Sequence, residues 1–365
     1  MVKRLLEVVM LHFCDEFTND DGDEDFKFMK RFCTLIILFT VTVKMLVAQD
    51  VHFSQYYATP LTINPSYTGS FTGDYRAGIN YRQQWGSVTV PYKTFDFYGD
   101  MSFNKNRFHH NYFSAGLILV SDRAGDGDLS VTKVMGSGAF HFNPDGNKAN
   151  FISFGVQAGM VQKSVDFTKF YFDNQWNDAG FDTGLPNEEN YLAQKISYPD
   201  VAAGISYSYS GSENISIYAG IAAYHILRPQ DSFYGNTENR LGIRPAANAG
   251  TIIRISDLVY IYPSIMYMYQ TKAHELLAGS MLSFELNTSS SNQIFAGLFG
   301  RFGDAVIPVI GYQFEHWRAF INYDVNTSEL KSASGGKGAF ELSISYTGWY
   351  KKPTDKIIDL PCPRF

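Results

Sequence analysis

Tyr75-Arg76-Ala77-Gly78-Ile79-Asn80-Tyr81-Arg82 alternates residue by residue between two chemistries. A period of two sends successive side chains to opposite faces of a strand. Tyr75, Ala77, Ile79 and Tyr81 therefore share one face, and Arg76, Gly78, Asn80 and Arg82 share the other. The pattern recurs at Leu276, Ala278, Leu282 and Phe284 against Glu275, Gly279, Ser283 and Glu285. It recurs again at Phe340, Leu342, Ile344 and Tyr346 against Glu341, Ser343, Ser345 and Thr347. Charges on an inner face are costly in the core of a soluble β-sandwich or jelly roll, the competing reading, but not in a wet lumen. An outward apolar band with a polar interior is what a closed barrel in lipid needs, because closure satisfies every backbone group.

About fourteen such segments fit between residues 74 and 350, and turn-like stretches separate them. Short connections follow the even-numbered segments. The longest, 166–198 and 227–245, and also 325–338, follow odd-numbered ones. Short periplasmic turns and long outer loops obey this rule, and an even strand count leaves both termini in the periplasm. The expected fold class is all-β: an antiparallel transmembrane β-barrel of about 14 strands, preceded by a signal peptide.

Composition agrees. Among 365 residues are 24 Tyr and 30 Phe, aromatics reach 16%, and charged residues only 18%. Such aromatic content suits the girdles of an outer-membrane barrel. The net charge of −6 gives no support for a nucleic-acid partner. Outside the leader no apolar run is long enough to cross a membrane as a helix.

The expected organisation has five parts. Residues 1–28 carry seven acids between Asp15 and Asp25 and read as a non-native upstream extension, with Met29 as the start. An acidic calcium loop was the other reading, but the spacing and closing Glu of an EF-hand are missing. Residues 29–48 form a signal peptide: Met29-Lys30-Arg31 is the positive region, Phe32 to Val43 lacks charge, and Ala48 offers a cleavage point. Residues 49–73 form an N-terminal periplasmic segment that either fills the periplasmic mouth of the barrel or docks a partner. The barrel occupies 74–350, and 351–365 is a periplasmic tail. Of Cys14, Cys33 and Cys362, only Cys362 lies beyond the leader, so no internal disulfide is expected.

An ordered series of blocks resembles one family. It begins with Gln49-Asp50-Val51-His52-Phe53-Ser54-Gln55-Tyr56-Tyr57 and Asn64-Pro65-Ser66-Tyr67-Thr68-Gly69. It continues through Asn80-Tyr81-Arg82-Gln83-Gln84-Trp85, Gly155-Val156-Gln157-Ala158-Gly159, Arg301-Phe302-Gly303-Asp304-Ala305 and Tyr323-Asp324-Val325-Asn326 to Pro361-Cys362-Pro363-Arg364-Phe365. Together they are similar to the PorP/SprF outer-membrane proteins of Bacteroidota. The resemblance implies a non-enzymatic role in type IX secretion and gliding motility, in the cell outer membrane. It implies as partners, besides outer-membrane lipid, the periplasmic secretion-ring components and a secreted cell-surface adhesin or its C-terminal sorting domain. A core role in the apparatus and a cargo-specific role both stay open.

No catalytic, cofactor or metal site is expected. There is no G-x-S-x-G, P-loop or H-E-x-x-H element, and His109-His110 stands in a turn without a third ligand. Glu275, Glu285 and Glu341 read as lumen lining. The named candidates are ionic: Arg76 and Arg82 on the inner face of the first strand, facing Asp324 or Glu341 where first and last strands meet. A passive pore or small-solute transporter is the alternative function. A barrel hydrolase is more remote.

Overall fold

A computed structural model describes residues 50–350, apart from 89, 109–110, 147–148, 178–179, 183, 187–192, 211, 213, 236–237, 287–291 and 330. The leader, the upstream acids, His109-His110, Cys362 and the tail from 351 lie outside the described residues.

Fourteen strands follow one another around the wall: β1 (Tyr75–Gln84), β2 (Tyr92–Phe108), β3 (Asn111–Ala124), β4 (Leu129–Phe142), β5 (Asn150–Ser164), β6 (Lys195–Tyr209) and β7 (Ile215–Tyr224) make one half. The other half is β8 (Arg244–Arg254), β9 (Val259–Gln270), β10 (Ala273–Glu285), β11 (Gln293–Arg301), β12 (Ala305–Phe314), β13 (Trp317–Asn326) and β14 (Lys337–Gly348). Each pairs antiparallel with its neighbours, and β14 returns to β1 to close the barrel. Closure removes both sheet edges, so every strand has a paired neighbour on each side. The alternation read in the sequence is the alternation of exposure: in β1, Arg76, Asn80 and Arg82 are buried, whereas Ile79 is exposed.

Loop length separates the two ends. The connections after β5 (165–194) and β7 (225–243) stand at one end; β12 and β13 are joined at the other by 315–316 alone. The long-loop end is the outer one by the usual asymmetry of such barrels. At the short-turn end, Tyr75, Tyr346, Tyr350 and Trp317 pack ring against ring around the closing seam, as an interfacial aromatic girdle does.

Two expectations fail inside the barrel. The interior is not a uniformly polar, wet lining. From β8 to β13 the inward row includes Met266, Met268, Leu277, Met281, Phe295, Phe299, Ile307, Val309 and Phe320, all buried. Nor do residues 50–73 stay in the periplasm or stop at the periplasmic mouth. They run through the lumen as an extended chain broken by short helical turns at Tyr56–Ala58, Pro60–Ile63 and Pro65–Tyr67. These residues are almost wholly buried, with Tyr57 and Leu61 at zero exposure. The apolar inner wall exists because it meets apolar plug residues rather than water.

Candidate functional site: the threaded lumen

The segment enters the barrel at the outer end. Lys133 donates to both carboxylate oxygens of Asp50, at 2.6 and 2.7 Å. Arg244, the first residue of β8, lies 3.4 Å from the same carboxylate, and His225, just past β7, lies 3.2 Å away. The backbone N–H of Asp50 donates to Gln270, the last residue of β9, at 2.9 Å. His225 turns its other ring nitrogen to Asp200 at 2.9 Å. Burial pushes the Asp50 carboxyl up, but Lys133, Arg244 and His225 reverse this and hold it well below the usual range. Burial lowers His225, yet the carboxylates of Asp200 and Asp50 overcome it and raise the ring above its ordinary value. Two spaces beside Asp50 hold only about 20 and 50 Å3, room for single waters rather than a channel.

Linkage gives this anchor a pH window. The depressed Asp50 contributes fully above its ordinary value of 3.8 and fades as pH falls toward its folded value. The raised His225 contributes fully below 6.5 and fades as pH rises through its folded value. Asp50→Asn should therefore destabilise the barrel by about 2 kcal/mol. The gap to the parent should be widest between pH 3.8 and 6.5, as read by guanidinium unfolding midpoints across pH. A gap that fails to narrow as pH rises past that window would show that His225 does not share the anchor.

One turn further in, the chain passes through a knot of charge. Arg82 contacts Glu341 directly and Asp324 at 3.1 Å. Arg301 reaches Asp324 at 3.1 Å, Glu275 at 3.2 Å and Asp304 at 3.0 Å. The plug supplies the remaining donors. Ser54 N–H and Gln55 N–H donate to the two oxygens of Glu341, each at 2.8 Å, and the Ser54 hydroxyl donates to Asp324 at 2.8 Å. Gln55 also donates to Asn322 at 2.5 Å and accepts from Ser343 at 2.6 Å. Every carboxylate here is met by a cation or several N–H groups, as burial requires. His52 sits above, 3.4 Å from Glu275; burial lowers its ring, Glu275 opposes this, and Arg301 and Arg82 add to the lowering.

Of the four residues singled out in the sequence, the structure brings Arg82, Asp324 and Glu341 together. Arg82 is the register partner of Glu341 across the β1–β14 seam, so strand closure alone places them face to face. Arg76 is elsewhere. Its partner on β14 is Thr347, which bears no charge, whereas its partner on β2 is Asp100. Arg76 grips Asp100 through Nε at 3.1 Å and Nη2 at 2.8 Å, and Phe71 of the plug stacks on its guanidinium, 4.5 Å from the ring centre. Asp100 also accepts from the Gly69 N–H at 2.7 Å, which fixes the inner end of the plug. Glu285, read with Glu275 and Glu341 as lumen lining, is half-buried and accepts from Gln293 at 2.8 Å.

Between the two ionic anchors the contact is apolar and close. Tyr57 stacks on Phe299 at 5.5 Å and meets the edge of Phe320 at 5.4 Å. Asn64, Pro65 and Ser66 then press against the wall at β5 and β6. A Cβ on Gly155 would lie 2.2 Å from the Pro65 carbonyl carbon, and one on Gly204 would lie 2.0 Å from Asn64 Oδ1. Gly155 and Gly204 are register partners, so the absence of two side chains makes one bed. Asn64 donates to the carbonyls of Ile205 and Ile221 at 3.2 and 3.1 Å.

Sequence reasoning missed Asp50, Lys133, His225, Arg244, Asp100 and Arg301. The signal for Asp100 was its place in the inward row of β2. The Asp50 cluster joins five distant stretches of chain and left no local pattern. Among the described residues, no group of three or more potential metal ligands occurs. The arrangement holds a segment inside the lumen.

No curated protein matches the chain significantly. Solved structures align with the chain at low identity. The toluene transporter TodX of Pseudomonas putida aligns at 9% identity over 82% of this chain and 98% of that one, with a TM-score of 0.48. TbuX, a toluene transporter of Ralstonia pickettii, aligns at 10% over 79% and 92%, with a TM-score of 0.47. A FadL homologue of Pseudomonas aeruginosa aligns at 8% over 78% and 92%, with a TM-score of 0.45. Residues 46–346 match the family described as Type IX secretion system membrane protein PorP/SprF, and that span takes in the plug and nearly the whole barrel. The chain belongs to the PorP/SprF family of type IX secretion membrane proteins, and it is an outer-membrane β-barrel.

Proposed function

We propose that this barrel works in type IX secretion as a closed binding component rather than as a conduit. It supports export or surface attachment of an adhesin-like cargo. The observation that carries this reading is the filled lumen: residues 50–73 occupy it, tied at the outer end by the half-buried Lys133–Asp50 ion pair, at the inner end by the Gly69 N–H on Asp100, and in the middle by ring packing. A barrel whose lumen is occupied by its own chain acts through its surfaces. On the outer surface, loop 165–194 exposes Tyr171, Trp176 and Phe181, whose rings pack on one another at 5.2 to 5.3 Å. Exposed aromatic clusters of this kind are common in protein contacts. The exported adhesin or its C-terminal sorting domain would bind there, and the short turns would meet the periplasmic ring components. No step in this reading is catalytic.

The test is chemical crosslinking of the tagged protein in its native envelope, with bilayer conductance of the purified protein alongside. Recovery of ring components or a large surface adhesin, with no steady conductance, is the expected result. Trp176→Ala combined with Tyr171→Ala should cut adhesin recovery about tenfold and leave the ring contacts intact. A steady open-state conductance with no such partners would favour the alternative, a passive pore whose plug leaves the lumen.

A further inference from the structure

Residues 225–243, between β7 and β8, form a strap whose limbs pair with each other. Gln230 bridges Arg240, the Asp231 N–H donates to the Asn239 carbonyl at 3.0 Å, and the Leu241 N–H donates to the Pro229 carbonyl at 2.9 Å. Both roots of the strap end on one carboxylate of the plug. His225, its first residue, and Arg244, the residue that follows it, lie 3.2 and 3.4 Å from Asp50. The first root is strained: His225 and Arg228 take φ of 57° and 46°, left-handed values that residues other than glycine adopt at a cost. Such backbone persists where its surroundings hold it. Here the holders are Asp50, Asp200 and the Ile226 N–H, which donates to the Val201 carbonyl of β6 at 3.1 Å.

The far side of the strap meets loop 165–194. The Phe233 ring stands edge-on to Phe167 at 6.0 Å, the Ala193 N–H donates to the Phe233 carbonyl at 3.3 Å, and Asp231 pairs with Lys163 of β5 at 2.6 Å. Phe167 packs on Phe170, and Phe170 on Phe172, in the same loop that exposes Tyr171, Trp176 and Phe181. Contacts therefore lead from Asp50 through the strap to the exposed aromatic face.

We infer that the plug assembles the outer aromatic face: Asp50, seated in the lumen, fixes both roots of the strap, and the strap braces loop 165–194. The inference rests on the reading of that loop as the cargo surface. Its sign follows from charge. Lys133 and Arg244 share the Asp50 carboxylate, and without it two like charges stand close together and repel. Among the described residues, Arg244 would then keep only the face of Tyr224, 4.4 Å away. The strained root relaxes, and the strap leaves Phe167. Coupling between two sites is reciprocal, so loosening the strap at Phe233 must also loosen the plug. An ordered cargo face and a filled lumen therefore occur together.

The test is hydrogen exchange on the full barrel in detergent micelles, after folded material is separated by its heat-modifiable mobility. Asp50→Asn should speed exchange about tenfold in 226–235 and 167–172 as well as in 50–57. Asp50→Glu, which keeps the charge, should stay within about threefold of the parent in all three regions. Phe233→Ala should speed exchange in 50–57 about threefold, although Phe233 is carried by an outer loop. Asp257→Ala, which breaks an exposed pair with Arg254 at the opposite end of β8, should change none of them. Exchange that quickens only in 50–57 in Asp50→Asn, a plug indifferent to Phe233→Ala, or the same changes in Asp257→Ala each overturns the inference. The exchange is read without cargo, so failure to recover an adhesin by crosslinking counts against the cargo reading alone.

Discussion

Replacing Arg82 with alanine is expected to lower barrel stability by about 3–5 kcal/mol, the cost of stranding a buried charge without its partner. Glu341 would keep only the Ser54 and Gln55 N–H groups, and Asp324 would keep only Arg301 as a cation. The guanidinium is almost fully buried, so water cannot take over its role. The loss should appear in guanidinium unfolding midpoints of the detergent-embedded protein. Arg82→Ala with Glu341→Gln should recover more than half of it, because the second change removes the charge that the first one strands. A single variant within about 1 kcal/mol of the parent would mean that the knot is solvated and not part of what holds the plug. Hydrogen exchange supplies an independent reading: protection should fall in residues 50–73 before it falls in the strands.

Gly155→Val should have the second-largest effect, and by a different route. The first atom added already overlaps the Pro65 backbone at 2.2 Å, and backbone cannot rotate away as a side chain can. Overpacking of this kind costs about 1–3 kcal/mol when neighbours yield. Here the neighbour that yields is the plug itself, since Gly155 sits in a strand paired on both sides. The expected outcome is a barrel that still folds but in which Asn64 has left the carbonyls of Ile205 and Ile221. Conductance should become intermittent, and protection of 50–73 should drop. Gly136→Val serves as the control: a Cβ there meets only the Ala158 carbonyl oxygen, at 3.8 Å. Equal behaviour of the two variants would show that contact with the plug is not the cause.

The two variants probe different layers of the molecule, and those layers were unequally legible. The strands were legible because alternation is local: which face a side chain takes in β1 or β14 depends on its parity and on nothing distant. The Arg82–Glu341 contact was legible for a related reason, since closure forces first and last strands to meet and the register then aligns the pair. Arg76 followed the same parity and also faces inward, but the choice between two neighbouring strands is not a matter of parity, and its carboxylate came from β2.

The apolar residues Leu277, Phe295 and Phe320 point inward against the expectation of a wet lumen, and the reason lies in another part of the chain. Seen alone, their strands carry large apolar side chains on both faces, a pattern that says only that both faces are dry. What makes the inner face dry is Tyr56, Tyr57 and Ile63, more than two hundred residues away in sequence. The direction of the plug was equally hidden. Asp50 reaches the outer mouth because Lys133, His225, Arg244 and Gln270 gather there from four strand ends, and only barrel closure brings those ends together. By itself, then, the sequence determined the strand count, the lipid-facing band, the loop asymmetry and the family. The tertiary structure alone decided that the lumen is filled, which way the filling segment runs, and which carboxylate each arginine takes. Periodicity is a property of neighbours along the chain, whereas filling and pairing are set by distances that exist only once the barrel has closed.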